Sequence, residues 1–155
     1  MSAKPIPEGY HSLTPSLAVD DAAAAIEFYK QAFGARERGR MPAPDGRIAH
    51  AELEIGDSLL TLADTFEQSA VRPPKELRGT TGSVLLYVDD VDTVVDHAVE
   101  AGATVTMPIE DMFWGDRYGQ VIDPFGHVWQ IATHKEDLSP EEAMERAKEA
   151  MADLS

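Results

Sequence analysis

The 155-residue chain contains no cysteine. That excludes disulfides, cysteine-ligated zinc, iron–sulfur clusters and thiol nucleophiles, and it fits a reducing compartment. No stretch approaches the ~20 apolar residues of a membrane helix, so no membrane association is expected. The opening MSAKPIPEGYHS has one Lys and lacks the apolar centre of a secretory signal. The expected location is therefore cytoplasmic. Positive charge is scarce: 13 Lys and Arg stand against 28 Asp and Glu, for a net charge of -15. Such a field repels phosphate backbones, so nucleic acid is not an expected partner. It would favour a cationic guest, although a solvated acidic surface is the plainer reading. Also missing are G-x-S-x-G, a Gly-rich phosphate loop and H-E-x-x-H, so no residue is assigned as catalytic.

What the chain does have is a repeat. Leu17-Ala18-Val19-Asp20-Asp21 returns 69 residues later as Leu86-Tyr87-Val88-Asp89-Asp90. Each phrase leads into a helical run ending in Gly-Ala, at Gly34-Ala35 and Gly102-Ala103. Each half closes on an apolar strand, at 59–63 and 128–132, again 69 apart. The first half reads as a strand over 11–19, with Leu13, Leu17 and Val19 on one face. A helix follows, with Ala22, Ala25, Ile26, Tyr29 and Phe33 as its apolar stripe and Asp20 or Asp21 as its N-cap. A weak strand near 35–41, an Asp45-Gly46 turn and an alternating strand over 48–55 come next. That strand sets Ala49, Ala51, Leu53 and Ile55 opposite His50, Glu52 and Glu54. The second half repeats this plan, with strands at 83–88, 103–107, 119–123 and 127–132. Its helix carries Val91, Val94, Val95, Ala98 and Ala101, and Trp129 is expected to pack against a helix.

These patterns predict one α+β domain over 1–155, built from two paired βαβββ modules at 11–63 and 82–134. A linker at 64–81 joins them, and curved mixed sheets surround a shared cleft. An amphipathic C-terminal helix follows at 139–154. Ser139 is its N-cap, Pro140 sits at N1, and Glu142 and Arg146 are spaced to pair. Its stripe of Ala143, Met144, Ala147, Met151 and Leu154 must pack on its own subunit or on a partner.

Two phrases in this frame resemble the vicinal oxygen chelate superfamily, the glyoxalase, bleomycin-resistance and extradiol-dioxygenase group. They are Ala24-Ala25-Ile26-Glu27-Phe28-Tyr29 with Phe33-Gly34, and Val121-Ile122-Asp123-Pro124-Phe125-Gly126-His127. The residues at 50–57 and 112–119 are more similar to its PhnB-like branch. The resemblance covers about residues 10–134 and implies a paired βαβββ fold and a homodimer. In the superfamily's metal-using members four positions supply ligands, two in the opening strands and two in the closing strands. By motif these fall at Thr14, Ser83, Thr61 and Gln130, and the pairs Thr14/Ser83 and Thr61/Gln130 each keep the offset of 69.

Two Thr, one Ser and one Gln are neutral, weak donors and cannot hold zinc, nickel or iron by themselves. Neither a metal nor any other cofactor is therefore expected. A metal relocated to other residues would draw on His11, His50, Glu52, Asp64, His127 and His134. The expected role is metal-free binding of a small molecule, such as a sequestered drug or metabolite. The cleft residues are Thr14, His50, Glu52, Thr61, Ser83, Tyr87, Phe113, Trp114, Arg117 and Gln130. Aromatic Phe113 and Trp114 would form a flat wall, and Arg117 would clamp an acid. Two alternatives stand beside this. One is a lyase, isomerase or dioxygenase using a relocated metal or a His50/Glu52 acid–base pair. The other is an interaction protein with a vestigial pocket that grips its partner through the C-terminal helix.

Overall fold

The computed structural model describes residues 2–154, so Met1 and Ser155, the ends of the expected 1–155 range, lie outside the described residues. The first module runs β1 (Ser16–Val19), α1 (Ala22–Phe33), β2 (Arg36–Pro42), β3 (Ile48–Ile55) and β4 (Ser58–Asp64). A one-turn helix, α2 (Pro74–Leu77), interrupts the linker. The second module runs β5 (Ser83–Tyr87), α3 (Val91–Ala101), β6 (Thr104–Asp111), β7 (Asp116–Ile122) and β8 (Val128–His134). The chain then enters α4 (Pro140–Ala152). Strand orders are β1-β4-β3-β2 and β5-β8-β7-β6. In each sheet the opening strand lies parallel to the closing strand and the other neighbours are antiparallel.

The repeat extends to details of bonding. Ser16 faces Thr61 and Leu85 faces Gln130, so the opening register is the same in both modules. Asp21 accepts from Ala24 N and Asp90 from Thr93 N, each capping its helix. The first helical N–H of each module is also held by a side chain at the end of the closing strand. Ala22 N donates to Asp64 Oδ1 (2.9 Å) and Val91 N to Thr133 Oγ1 (2.9 Å). Orphan N–H groups at a helix start need such acceptors, and the strand end supplies them twice, 69 residues apart.

The helices α1 and α3 pack on each other. Buried Ala22, Ala25 and Ala98 keep their contact thin. Both modules join one core, in which Tyr29 and Phe33 of α1 reach Trp129 of the second sheet at ring distances of 5.3 and 4.6 Å. Trp129 is therefore a core residue, as its strand parity predicts. Asp123, in the β7–β8 turn, closes the junction. It accepts from Tyr29 Oη (2.5 Å), Trp129 Nε1 (2.9 Å) and the backbone N–H groups of Phe125 and His127. With the helices back to back, each sheet turns its other face outward.

Several expectations are corrected. The opening strand starts at Ser16, not at 11, and Leu13 is 90% exposed rather than inward-facing. Pro15 has no N–H for a ladder and can only accept, which it does from Thr61 N (3.0 Å). Its counterpart in the repeat is Val84, so β5 runs on to Ser83. Ile48, not Ala49, turns into the core, because a register irregularity near Met41 and Pro42 shifts that end of the strand. Strand β7 begins at Asp116 rather than Gly119. Helix α4 has the expected Ser139 cap, with Glu142 N donating at 3.1 Å. Its Arg146 pairs with Glu136 instead of Glu142. None of its residues is buried, and Met144 and Met151 stay exposed.

Candidate binding site

On β5, β7 and β8 alternate residues face away from the helices. The register puts Leu85, Gln130 and Gln120 in one row, and Tyr87, Ala132 and Tyr118 in the next. Polar groups on this open face form a directed chain. Gln120 Nε2 donates to Tyr118 Oη (2.8 Å), Tyr118 Oη to Gln130 Oε1 (2.6 Å), and Gln130 Nε2 to Ser83 Oγ (2.6 Å). Two predicted residues, Ser83 and Gln130, thus touch each other. Neither Gln120 nor Tyr118 was expected here: Tyr118 precedes the strand read from the sequence at 119–123, and Gln120, though within it, carried no motif that marked it. The parity of Asp116, Tyr118 and Gln120 would have revealed them had β7 been started three residues earlier.

Beyond this chain lies Asp116, whose carboxylate is 3% exposed on the same face. Its Oδ2 accepts from Tyr87 Oη (2.7 Å) and Trp114 Nε1 (3.0 Å), and its Oδ1 faces His134 Nδ1 (2.8 Å). Burial pushes this carboxyl up, but the bonds from His134, Tyr87 and Trp114 outweigh it and hold the group below its usual range. Asp116 in turn raises the Tyr87 phenol and, with Asp137, the His134 imidazole. Trp114 stands edge-on to Tyr118 (5.4 Å) and to Phe113 (5.0 Å). The turn that presents it needs Gly115, with φ of 102°, where a Cβ would sit 2.5 Å from the Glu136 carbonyl.

Module one presents a different surface. His50, Glu52 and Thr61 share its open face, with Glu52 opposite Thr61 in the register. His50 Nε2 is 3.5 Å from Glu52 Oε1. The stronger partner of Glu52 is the Tyr10 hydroxyl, which, despite the opposing push of burial, holds the carboxylate below its usual range. Tyr10 arrives on the N-terminal segment, which crosses this face with Gly9 against the side chains of Arg38 and Leu59. Sequence reasoning had no signal for this, since nothing in residues 1–10 indicates where an extended segment docks.

Between the modules lies a cleft of about 510 Å³ lined mainly by apolar groups, including Pro15, Leu59, Leu60, Val84, Leu85 and Leu86. Of the ten predicted residues it takes in Thr14, which precedes β1 rather than lying on it, and Tyr87. Arg117 is set apart. It points to the helix side of its sheet, where Asp92 (2.7 Å) and Asp111 (3.2 Å) bind its guanidinium and raise its pKa. It has no ligand-clamping geometry on the open face. The Phe113 carbonyl accepts from Arg146 of α4 (3.4 Å).

The metal positions of the superfamily can be tested on donor chemistry. Gln130 uses its carbonyl and its amide on Tyr118 and Ser83, Thr14 and Thr61 are neutral hydroxyls, and none offers an anionic or imidazole donor. Among the described residues no three His, Asp or Glu side chains are grouped as metal ligands. The residues present do not fit the group.

The chain resembles known proteins over most of its length. It is 45% identical to an uncharacterized protein of Mycobacterium tuberculosis over 134 residues, 84% of this chain and 79% of that one. The crystal structure of TioX from Micromonospora sp. ML1 superposes with a TM-score of 0.64 at 30% identity, covering 80% of this chain and 98% of TioX. An Arabidopsis thaliana gene product of solved structure matches with a TM-score of 0.65 at 29% identity, covering 79% and 98%. Residues 10–131 match the Glyoxalase/Bleomycin resistance protein/Dioxygenase superfamily, and with the paired βαβββ frame already in place the chain belongs to that superfamily.

Proposed function

We propose that the protein binds a small molecule without a metal, as a PhnB-like member of the superfamily, and that the open face of the second sheet is the binding wall. The observation that carries this is the fate of the ligand positions. Ser83 and Gln130 are neutral and bonded to one another, so these two positions offer hydrogen bonds rather than charge-bearing ligands, beside the aromatic surface of Tyr87 and Trp114. Tyr87 and Trp114 are 54% and 39% exposed, and both rings suit a planar or cationic guest. The net charge of -15 favours a cation. The cleft beside Leu85 and Tyr87 would take the guest's apolar part. A second copy of the chain completes the proposal, since Leu85, Val105 and Met107 on this sheet and Met144 and Met151 on α4 lie uncovered. No helix among the described residues is long and apolar enough to cross a membrane, and we place the protein in the cytoplasm.

Metal analysis of protein purified without added metal, paired with thermal shifts against a panel of aromatic cations, tests this. The expected result is no stoichiometric metal and a rise in melting temperature with at least one compound, lost in Tyr87→Ala. One tightly bound metal per chain would sink the reading. The enzymatic alternative through His50 and Glu52 has weaker support, because a carboxylate held below its usual range by Tyr10 is a poor base at neutral pH.

A further inference from the structure

We propose that Asp116 is a positioning residue for the open face of the second sheet, aiming Tyr87 and Trp114, and that His134 sets how firmly it does so by bridging Asp116 to Asp137. This rests on the reading of that face as a binding wall. Tyr87 comes from β5 and Trp114 from the β6–β7 turn, yet both donate to the same oxygen, Asp116 Oδ2. One carboxylate therefore fixes the relative placement of two rings from separate elements. The other oxygen is committed to His134 Nδ1 at 2.8 Å. Behind His134, its Nε2 is 2.7 Å from Asp137, in the segment that leads into α4.

The two distances constrain the proton count. A neutral imidazole has one N–H and cannot donate to two carboxylates; an imidazolium has two. Both bonds form only when His134 is protonated. Loss of that proton turns one ring lone pair towards a carboxylate, and one side of the bridge opens. The groups around His134 are Asp116 from β7, Tyr87 from β5, Asp89 from the following loop, and Lys135 and Asp137 beside it in the chain. The two carboxylates that bond the ring, Asp116 and Asp137, favour its charged form.

The direction of the pH effect follows. Asp116, then Asp137, raises the His134 pKa, so the bridge is complete at low pH and is lost as pH rises through that raised value. The Asp116 carboxyl lies below its usual range, so its bonds hold at neutral pH and fail only as pH falls through that lowered value. The bridge is closed between these two limits. Arg146 adds a second tie from α4, donating to the Phe113 carbonyl next to Trp114 and pairing with Glu136.

Acrylamide quenching of tryptophan emission reads this on the protein alone, because Trp114 is 39% exposed and Trp129 only 1%. In the native protein quenching should increase over the pH range that spans the raised His134 value. His134→Ala should quench strongly at both ends of that range. His134→Arg, whose guanidinium keeps its charge, should quench weakly at both. Asp116→Asn should quench strongly throughout, with far-ultraviolet circular dichroism checking that the sheet is intact. Trp114→Phe should lose the pH-dependent component. A pH profile shared by the native protein and His134→Ala would overturn the proposal, as would a His134→Arg variant that titrates like the native protein. If the quenching titrates as expected while no compound shifts the melting temperature, the bridge stands and the binding role falls.

Discussion

Strand β7 ends in two buried aspartates that do opposite work. Asp123, just past its C-terminal end, is 4% exposed, and Asp116, at its start, is 3% exposed. Each accepts from a tyrosine and a tryptophan. Asp123 takes its donors from the helix side: Tyr29 across the module boundary, Trp129 in the core and two backbone N–H groups in its own turn. Asp116 takes Tyr87, Trp114 and His134 from the open side, where all three side chains reach solvent. Similar burial and similar donors thus produce a lock in one place and a surface in the other. The difference lies in whether the donors are themselves enclosed. An enclosed donor has nowhere else to bond, whereas a donor at the surface can turn to water.

Removing the lock should have the largest effect. Asp123→Ala leaves two buried side-chain donors and two backbone N–H groups unsatisfied and should cost at least about 4 kcal/mol, read as a lower urea midpoint. Tyr29→Phe removes one bond and leaves the carboxylate its other three donors, so about 2 kcal/mol is expected. If it costs nothing, Asp123 is not what joins the modules. Asp116→Asn should cost only about 1 kcal/mol, because Tyr87 and Trp114 can rehydrate, while their optical signals change. A loss as large as that of Asp123→Ala would erase the distinction between the two sites. The smallest effect concerns pH. Stability should decline slightly as pH rises through the raised His134 value, and His134→Ala should lack that slope; urea midpoints at several pH values measure both.

How much of this could be read from the chain differs by element. The repeat was legible because helix stripes, Asp caps and Gly stops are local, and local signals survive without a fold. The module order, the C-terminal helix cap at Ser139 and the core position of Trp129 followed from such signals. The break at Pro15 was also present in the sequence, but the apolar alternation around Leu13 masked it. Eight of the ten candidate residues lie on the open sheet faces or in the turn beside them: His50, Glu52, Thr61, Ser83, Tyr87, Phe113, Trp114 and Gln130. Arg117 was misassigned because parity on β7 depends on where that strand begins. Of the partners that organise the site, Tyr10 and His134 came from distant segments that only the folded chain brings in, while Asp116 and Tyr118 were hidden by the late strand boundary.

The sequence by itself determined the two-module frame, the absence of ligand-type side chains at four matched positions and the acidic balance, because each depends only on residue type and spacing. Tertiary structure decided which face each residue serves. Packing α1 against α3 turned both sheets outward, and the register of β7 against β8 set Asp116 beside His134. A strand's two faces differ by one residue in register, and that choice is made by the neighbouring strand and the helix behind it.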